Sequence, residues 1–322
     1  MFRRSLLAAP LLATPALATP AIAQPQWPAR PVRVIVPFPP GGSNDAIARP
    51  LCDEMQRSLG QPFVIENRGG AGGTIGTAEV ARAAPDGQTL MITSSTFATS
   101  AAVQATPYDA GRDFAMLALI ATAPLVMLGA PNFAPDNMEQ AAAHIRRHPG
   151  TVDYGSAGVG SIGHMGGALF ALKAGLSMQH VPYRGTGPVL NDLAAGVIQL
   201  TFTTITAAAG LISGRRVKLL GWCTADRPAN APHAPTPRES GLPDYEAAIW
   251  WGLLGRRDTP APTRARINAA ANAALGDSRL AASLAQEGAA PSPGSLEDGE
   301  RFISRDLSRW REVAQAANIR ME

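Results

Sequence analysis

Apolar residues recur along this chain with two periods. Short runs rich in β-branched and aromatic residues, "VRVIVPF", "PFVIENR", "TLMITSS", "AMLALIA", "PLVMLGA", "VDYGSA", "QHVPYRG", "IQLTFTT", "VKLLGWC" and "IWWGLLG", predict strands. Between them the period lengthens. "SNDAIARPLCDEMQRSLG" puts Ile47, Leu51, Met55 and Leu59 on one helical stripe, and "SIGHMGGALFALKAG" does the same with Met165, Leu169 and Leu172. Alternation of strand and helix predicts an α/β fold with parallel sheets covered on both faces. Pro50 inside the first helix should bend it. The last 60 residues read as helices, with Phe302, Leu307, Trp310 and Val313 forming a stripe expected to dock on the first domain.

A larger pattern is superimposed. Strand, glycine-rich loop and helix occur at 33–59 and again at 152–174, so each half of the chain owns a helix start competent to hold an anion. This predicts two domains: residues 24–123 with 223–322, and residues 124–222 between them, with two crossings near "TAPLVML" and "LLGWCTA".

The chain start is different in kind. Residues 1–23 carry Arg3 and Arg4, an Ala/Leu run broken by Pro10 and Pro15, and then Ala21-Ile22-Ala23, which predicts a signal peptide cleaved before Gln24. Ordinary secretion and a twin-arginine route are both open. No cysteine lies near the cleavage site to take a lipid, and no later apolar run is long enough to span a membrane. Either route leads out of the cytoplasm. The net charge of +3 falls to +1 once Arg3 and Arg4 leave, too weak a bias to argue for nucleic acid or a membrane surface. Cys52 and Cys223 could pair in an oxidising compartment, or serve as small buried hydrophobes. The five histidines, His144, His148, His164, His180 and His233, lack the partners of a metal site, and no cofactor is implied.

Several motifs bear on chemistry. Gly158, Gly160 and Gly163 have the G-x-G-x-x-G spacing, but the carboxylate expected about 20 residues later is absent, which argues against a dinucleotide site. Ser161 lacks the first glycine of a nucleophile elbow, and His164 on the same helix is poorly placed as its base. His164 is therefore either a ligand-facing donor on the first helical turn or a solvated helix residue. "NRGGAGGTIG" is a third glycine cluster, followed by hydroxyls at Thr74 and, after the next strand, at Ser94 and Ser95, where ligands sit in open α/β sheets.

Five blocks in order, "WPARPVRVIVPFPPGGSNDAIAR", "QPFVIENRGGAGGTIGTAEVARAAPDGQTL", "YGSAGVGSIGHMGGALF", "HVPYRGTGPVLNDLAAGVIQL" and "ESGLPDYEAAIWWGLLGRRDTPAPTRARIN", resemble the Bug family of periplasmic receptors, related to those of tripartite tricarboxylate transporters. The resemblance covers the whole mature chain. It implies a type II-like two-domain Venus flytrap that closes, as a monomer, on a small organic acid. It also implies that the ligand's carboxylate is held by backbone groups and ordered waters from the loop Phe38, Pro40, Gly41, Gly42 and Ser43 and from the loop Ser156, Ala157, Gly158 and Ser161. By the same matching His164, Tyr183, Gly185 and Thr186 fall beside the cleft. After the strand "QLTF" many relatives carry Asp or Asn, where this chain has Thr203 and Thr204, which leans toward an acid without a free amino group. The implied partners are membrane transporter subunits of the tripartite tricarboxylate type, or a sensor kinase that reads the closed form. A secreted enzyme on the same scaffold would need a nucleophile, base or metal set that the motifs do not supply.

Overall fold

The strand and helix periods become, in the computed structural model, ten strands and ten α-helices over the described residues, 27–227 and 232–321. The expected leader and its cleavage point lie outside them. In chain order the first part reads β1 (Val32–Val36), α1 (Ser43–Leu59), β2 (Phe63–Asn67), α2 (Thr74–Ala81), β3 (Thr89–Ser94), α3 (Thr96–Val103) and β4 (Phe114–Gly129). Next come α4 (Met138–Arg147), β5 (Asp153–Ser156), α5 (Ile162–Ala174), β6 (Gln179–Pro182), α6 (Thr186–Ala195), β7 (Leu200–Thr204), α7 (Ala209–Ser213) and β8 (Lys218–Trp222). The chain then returns through β9 (Ala248–Arg256), α8 (Ala261–Ala274), α9 (Ser278–Gln286), β10 (Ala290–Pro291) and α10 (Leu296–Ala316).

Two parallel groups, β2-β1-β3 and β6-β5-β7, are joined through antiparallel strands. The expectation of purely parallel sheets therefore needs correcting: β9 runs antiparallel to β3 and β4, and β4 antiparallel to β7 and β8. The runs "AMLALIA" and "PLVMLGA", read as two strands, are one 16-residue strand. Its first part, Phe114–Pro124, pairs with β9, and its second, Leu125–Gly129, pairs with β7 and β8. The return crossing lies alongside. Cys223 N–H donates to the Leu125 carbonyl (2.8 Å), and Leu125 N–H donates to that of Ala247 (3.2 Å).

Strands buried on both faces are largely apolar, and β1 is apolar at every position but Arg33, which pairs with Glu66 and Glu79. Val34 and Val36 pack with Ile47, Leu51 and Met55 of α1 and Ile267 of α8, while Ile35 points into a second cluster with Phe97, Met116 and Trp310. That second cluster continues without a break past the sheet change to Tyr154, Phe170 and Phe202. Cys52 and Cys223 are free thiols, each buried in a different cluster. Met165 and Leu169 are buried as the stripe predicts, but Leu172 is 46% exposed, because α5 is enveloped only over Gly163–Phe170 and its last turn leaves the core. In α10, Leu307, Trp310 and Val313 are buried and Phe302 partly so, against α3 and β4 and also against α5.

Candidate functional site

Three helix N-termini open onto one cavity of about 230 Å³. Ser43 is the first residue of α1, Ser161 is the N-cap of α5, and Thr186 is the first residue of α6; all three line it. The first N–H groups of a helix have no partner within it, and the helix dipole makes that end positive. Gly42 and Gly185, the N-caps of α1 and α6, have no side chain to satisfy those groups, which leaves them for a bound anion. The rest of the wall includes Thr201, Phe202, Thr203 and Thr204 of β7, with Leu125, Ile249 and Trp251 of the crossing strands. One charged side chain, Glu287 at the end of α9, is among the described residues that line the cavity.

The loop before α5 is built by its own hydrogen bonds. Ser161, with extended backbone (φ −66°, ψ 155°), accepts the His164 N–H on its Oγ at 3.3 Å. Ser156 Oγ donates to the Gly158 carbonyl (3.0 Å) and accepts the Gly158 N–H (3.2 Å), and Gly160 N–H donates to His164 Nδ1 (3.1 Å). Gly160 needs its φ of +75° to make that turn. Gly163 has a different reason to be glycine: a Cβ there would lie 2.5 Å from the Phe202 carbonyl oxygen, so α5 can approach β7 only without a side chain. The G-x-G-x-x-G spacing thus serves a tight turn and a close helix–strand contact.

The loop before α1 is held from behind. Asp45, 3% exposed, accepts the Gly41 N–H (3.0 Å), Arg49 Nε (3.0 Å) and Asn67 Nδ2 (3.1 Å), and Asn67 also donates to the Phe38 carbonyl. Burial alone would raise the Asp45 pKa; these donors outweigh it and hold the carboxyl below its usual range. Asp45 therefore fixes the Phe38–Ser43 turn and occupies one of its amides.

Of the residues singled out from the sequence, Ser43, Ala157, Ser161, Thr186 and Thr203 line the cavity together. Phe38, Pro40, Gly41 and Gly42 form the turn that delivers Ser43, Ser156 and Gly158 form the one that delivers Ser161, and Gly185 caps α6. The others are tied up elsewhere. Thr74 Oγ1 accepts from Gln104, Ser94 Oγ donates to Thr96 Oγ1, Ser95 Oγ accepts the Trp250 N–H, and Tyr183 OH donates to Asp192 (2.7 Å). His164 is not solvated and is not among the residues lining the cavity: it is 5% exposed and stacks on His180 with ring centroids 3.6 Å apart. Sequence reasoning missed Asp45, Trp251 and Glu287. Asp45 could have been found as an acid in a first helical turn; Glu287 sits in a helix tail with no pattern to mark it.

A larger groove of about 720 Å³ lies between α10 and the crossing strands. In it Arg301 and Arg309 are engaged by Asp298 and Asp306, and the α10 N-terminus is closed by a capping box of Ser295 and Asp298.

Residues 47–319 match the family model described as the tripartite tricarboxylate transporter family receptor. The chain is 32% identical over 299 residues to protein BugT of Bordetella pertussis, covering 92% of each. Among solved structures it is similar to R. palustris Rpa4515 with adipate (33% identity, 91% of this chain and 99% of that one, TM-score 0.76). It is also similar to MatC from Rhodopseudomonas palustris with bound malate (33% identity, 89% and 99%, TM-score 0.74). The fold is thus the two-domain α/β binding-protein fold, and the chain belongs to the tripartite tricarboxylate transporter receptor family, which includes the Bug proteins.

Proposed function

We propose that this protein is a periplasmic solute receptor that captures a small organic carboxylate between two lobes, residues 24–123 with 223–322 and residues 124–222, and presents it to transporter subunits in the membrane. The observation that carries the reading is the convergence of three helix N-termini, at Ser43, Ser161 and Thr186, on one cavity. Ser43 comes from the first lobe and the other two from the second. A carboxylate that bridges them makes both sets of contacts only when the lobes are together, so binding favours the closed form. Water excluded from the cavity strengthens the amide–carboxylate hydrogen bonds. The adipate and malate in the two similar structures support a carboxylate as ligand. The role is binding and not turnover. Ser161 Oγ is engaged as a helix cap, and His164 Nδ1 is engaged by the Gly160 N–H, so the two do not form a nucleophile–base pair.

A thermal-shift screen of the purified chain against organic acids tests this. A ligand at 100 times its Kd adds about 2.7 kcal/mol, which raises the Tm by several degrees. At least one small carboxylate should do so, and silence across acids of two to eight carbons would contradict the proposal.

A further inference from the structure

The cavity is electrically lopsided. Its helix-start side is positive through backbone dipoles, and no Lys, Arg or His is among the described lining residues. Glu287 lies in its wall, the C-cap residue of α9, and its side chain makes no hydrogen bond or ion pair with the other described residues. Burial is the sole cause that pushes its pKa above the usual carboxylate range, as expected of a carboxyl half removed from water with no partner of its own. Trp251, fully buried in the core, lines the same cavity. A carboxylate in the wall attracts a cation by charge and repels a second carboxylate.

We propose that Glu287 is a specificity-determining residue that makes this receptor select acids bearing a protonated nitrogen over nitrogen-free acids of the same size. The proposal rests on the carboxylate-receptor reading above: one end of the ligand lies at the helix starts of α1, α5 and α6, and the ammonium lies toward Glu287. It reverses the leaning drawn from Thr203 and Thr204. Those positions bring no acid or amide to the cavity, but it gains a carboxylate from the end of α9, a distant part of the chain. Two like charges within a few ångströms at a partly buried site weaken binding by roughly a hundredfold or more, and an ion pair strengthens it in the same proportion.

The test is isothermal titration of matched pairs into the full chain at pH 7.5. The pairs are succinate with 4-aminobutyrate, glutarate with 5-aminopentanoate, adipate with 6-aminohexanoate, and 4-methylpentanoate with leucine. In at least one pair the nitrogen-bearing partner should bind tenfold or more tighter. Glu287→Gln should collapse that ratio by tenfold or more, chiefly by weakening the nitrogen-bearing ligand, and Glu287→Asp should keep the preference. Unliganded melting temperatures of both variants, equal to that of the parent, would show that the fold is intact. If the nitrogen-free acid binds as tightly or tighter in every pair, or if Glu287→Gln leaves the ratio unchanged, the inference is overturned while the carboxylate reading stands. If no member of any pair binds, the carboxylate reading fails and this inference fails with it.

Discussion

His164 and His180 lie nearly parallel in a stack, with ring centroids 3.6 Å apart, beneath the loop that presents Ser161. Burial pushes both pKa values down, to about 3 for His164, where the neighbouring His180 adds to the effect, and to about 4 for His180. An imidazole that is neutral when folded and has a pKa near 6.5 when unfolded takes up protons preferentially in the unfolded chain below pH 6.5. Stability should therefore be flat above pH 7 and fall between pH 6.5 and 5, by roughly 1–2 kcal/mol for each ring. Urea unfolding at pH 7.5, 6 and 5 measures this; a midpoint unchanged down to pH 5 would contradict it. The burial of these rings was not legible in the sequence. A histidine three residues past a helix cap can face solvent, ligand or core, and the choice here is made by β6, which brings His180 alongside from another segment. Ser161 was legible, because an extended serine before an apolar helical run is a local capping signal. Glu287 was not, since its role comes only from where α9 ends in space.

At the scale of elements, the helix-period stripe of α1 and the mainly apolar runs of β1 and β3 could be read directly, because strands covered on both faces are apolar along most of their length. The continuity of β4 could not. Pro124 reads as a strand breaker because it cannot donate to a ladder. In the structure it pairs with Ala248, at the end of the β9 ladder and just where β4 passes from one sheet to the other, so its missing N–H falls at the change of partners. Similarly, the stripe on α10 was legible but not its full set of neighbours, since the helix packs on α5 as well as on α3 and β4. The contact of α5 with β7 yields a prediction. Gly163→Ala would put a methyl group 2.5 Å from a backbone oxygen that cannot rotate away, so α5 must shift. The expected loss is about 1–3 kcal/mol of stability, a size typical of overpacking, together with weaker ligand binding because Ser161 moves with the helix. Denaturant unfolding and titration of the same variant would show both; a variant with parental stability would refute the close-contact account of this glycine.

For the molecule as a whole, one long strand and one return crossing join two groups of parallel strands, and the helix starts of both halves face a shared cavity. The two anion-competent loops were visible in the sequence as a repeated strand–glycine–helix pattern. Their convergence is a matter of tertiary placement, as is the third helix start at Thr186. The central claim is that a ligand's carboxylate occupies the N-terminus of α5, and Ser161→Asp addresses it by giving stability and affinity opposite responses. Aspartate caps a helix as well as serine does, and its charge favours the dipole by about 0.3–1 kcal/mol, so the empty protein should melt no lower than the parent. The new carboxylate would stand where the ligand's belongs, and two like charges about 4 Å apart repel by about 4 kcal/mol at an effective dielectric of 20. Isothermal titration of Ser161→Asp with the best acid from the screen should show affinity lower by about a thousandfold with the unliganded Tm held. Affinity within a few-fold of the parent's would contradict the account and move the anion site away from α5.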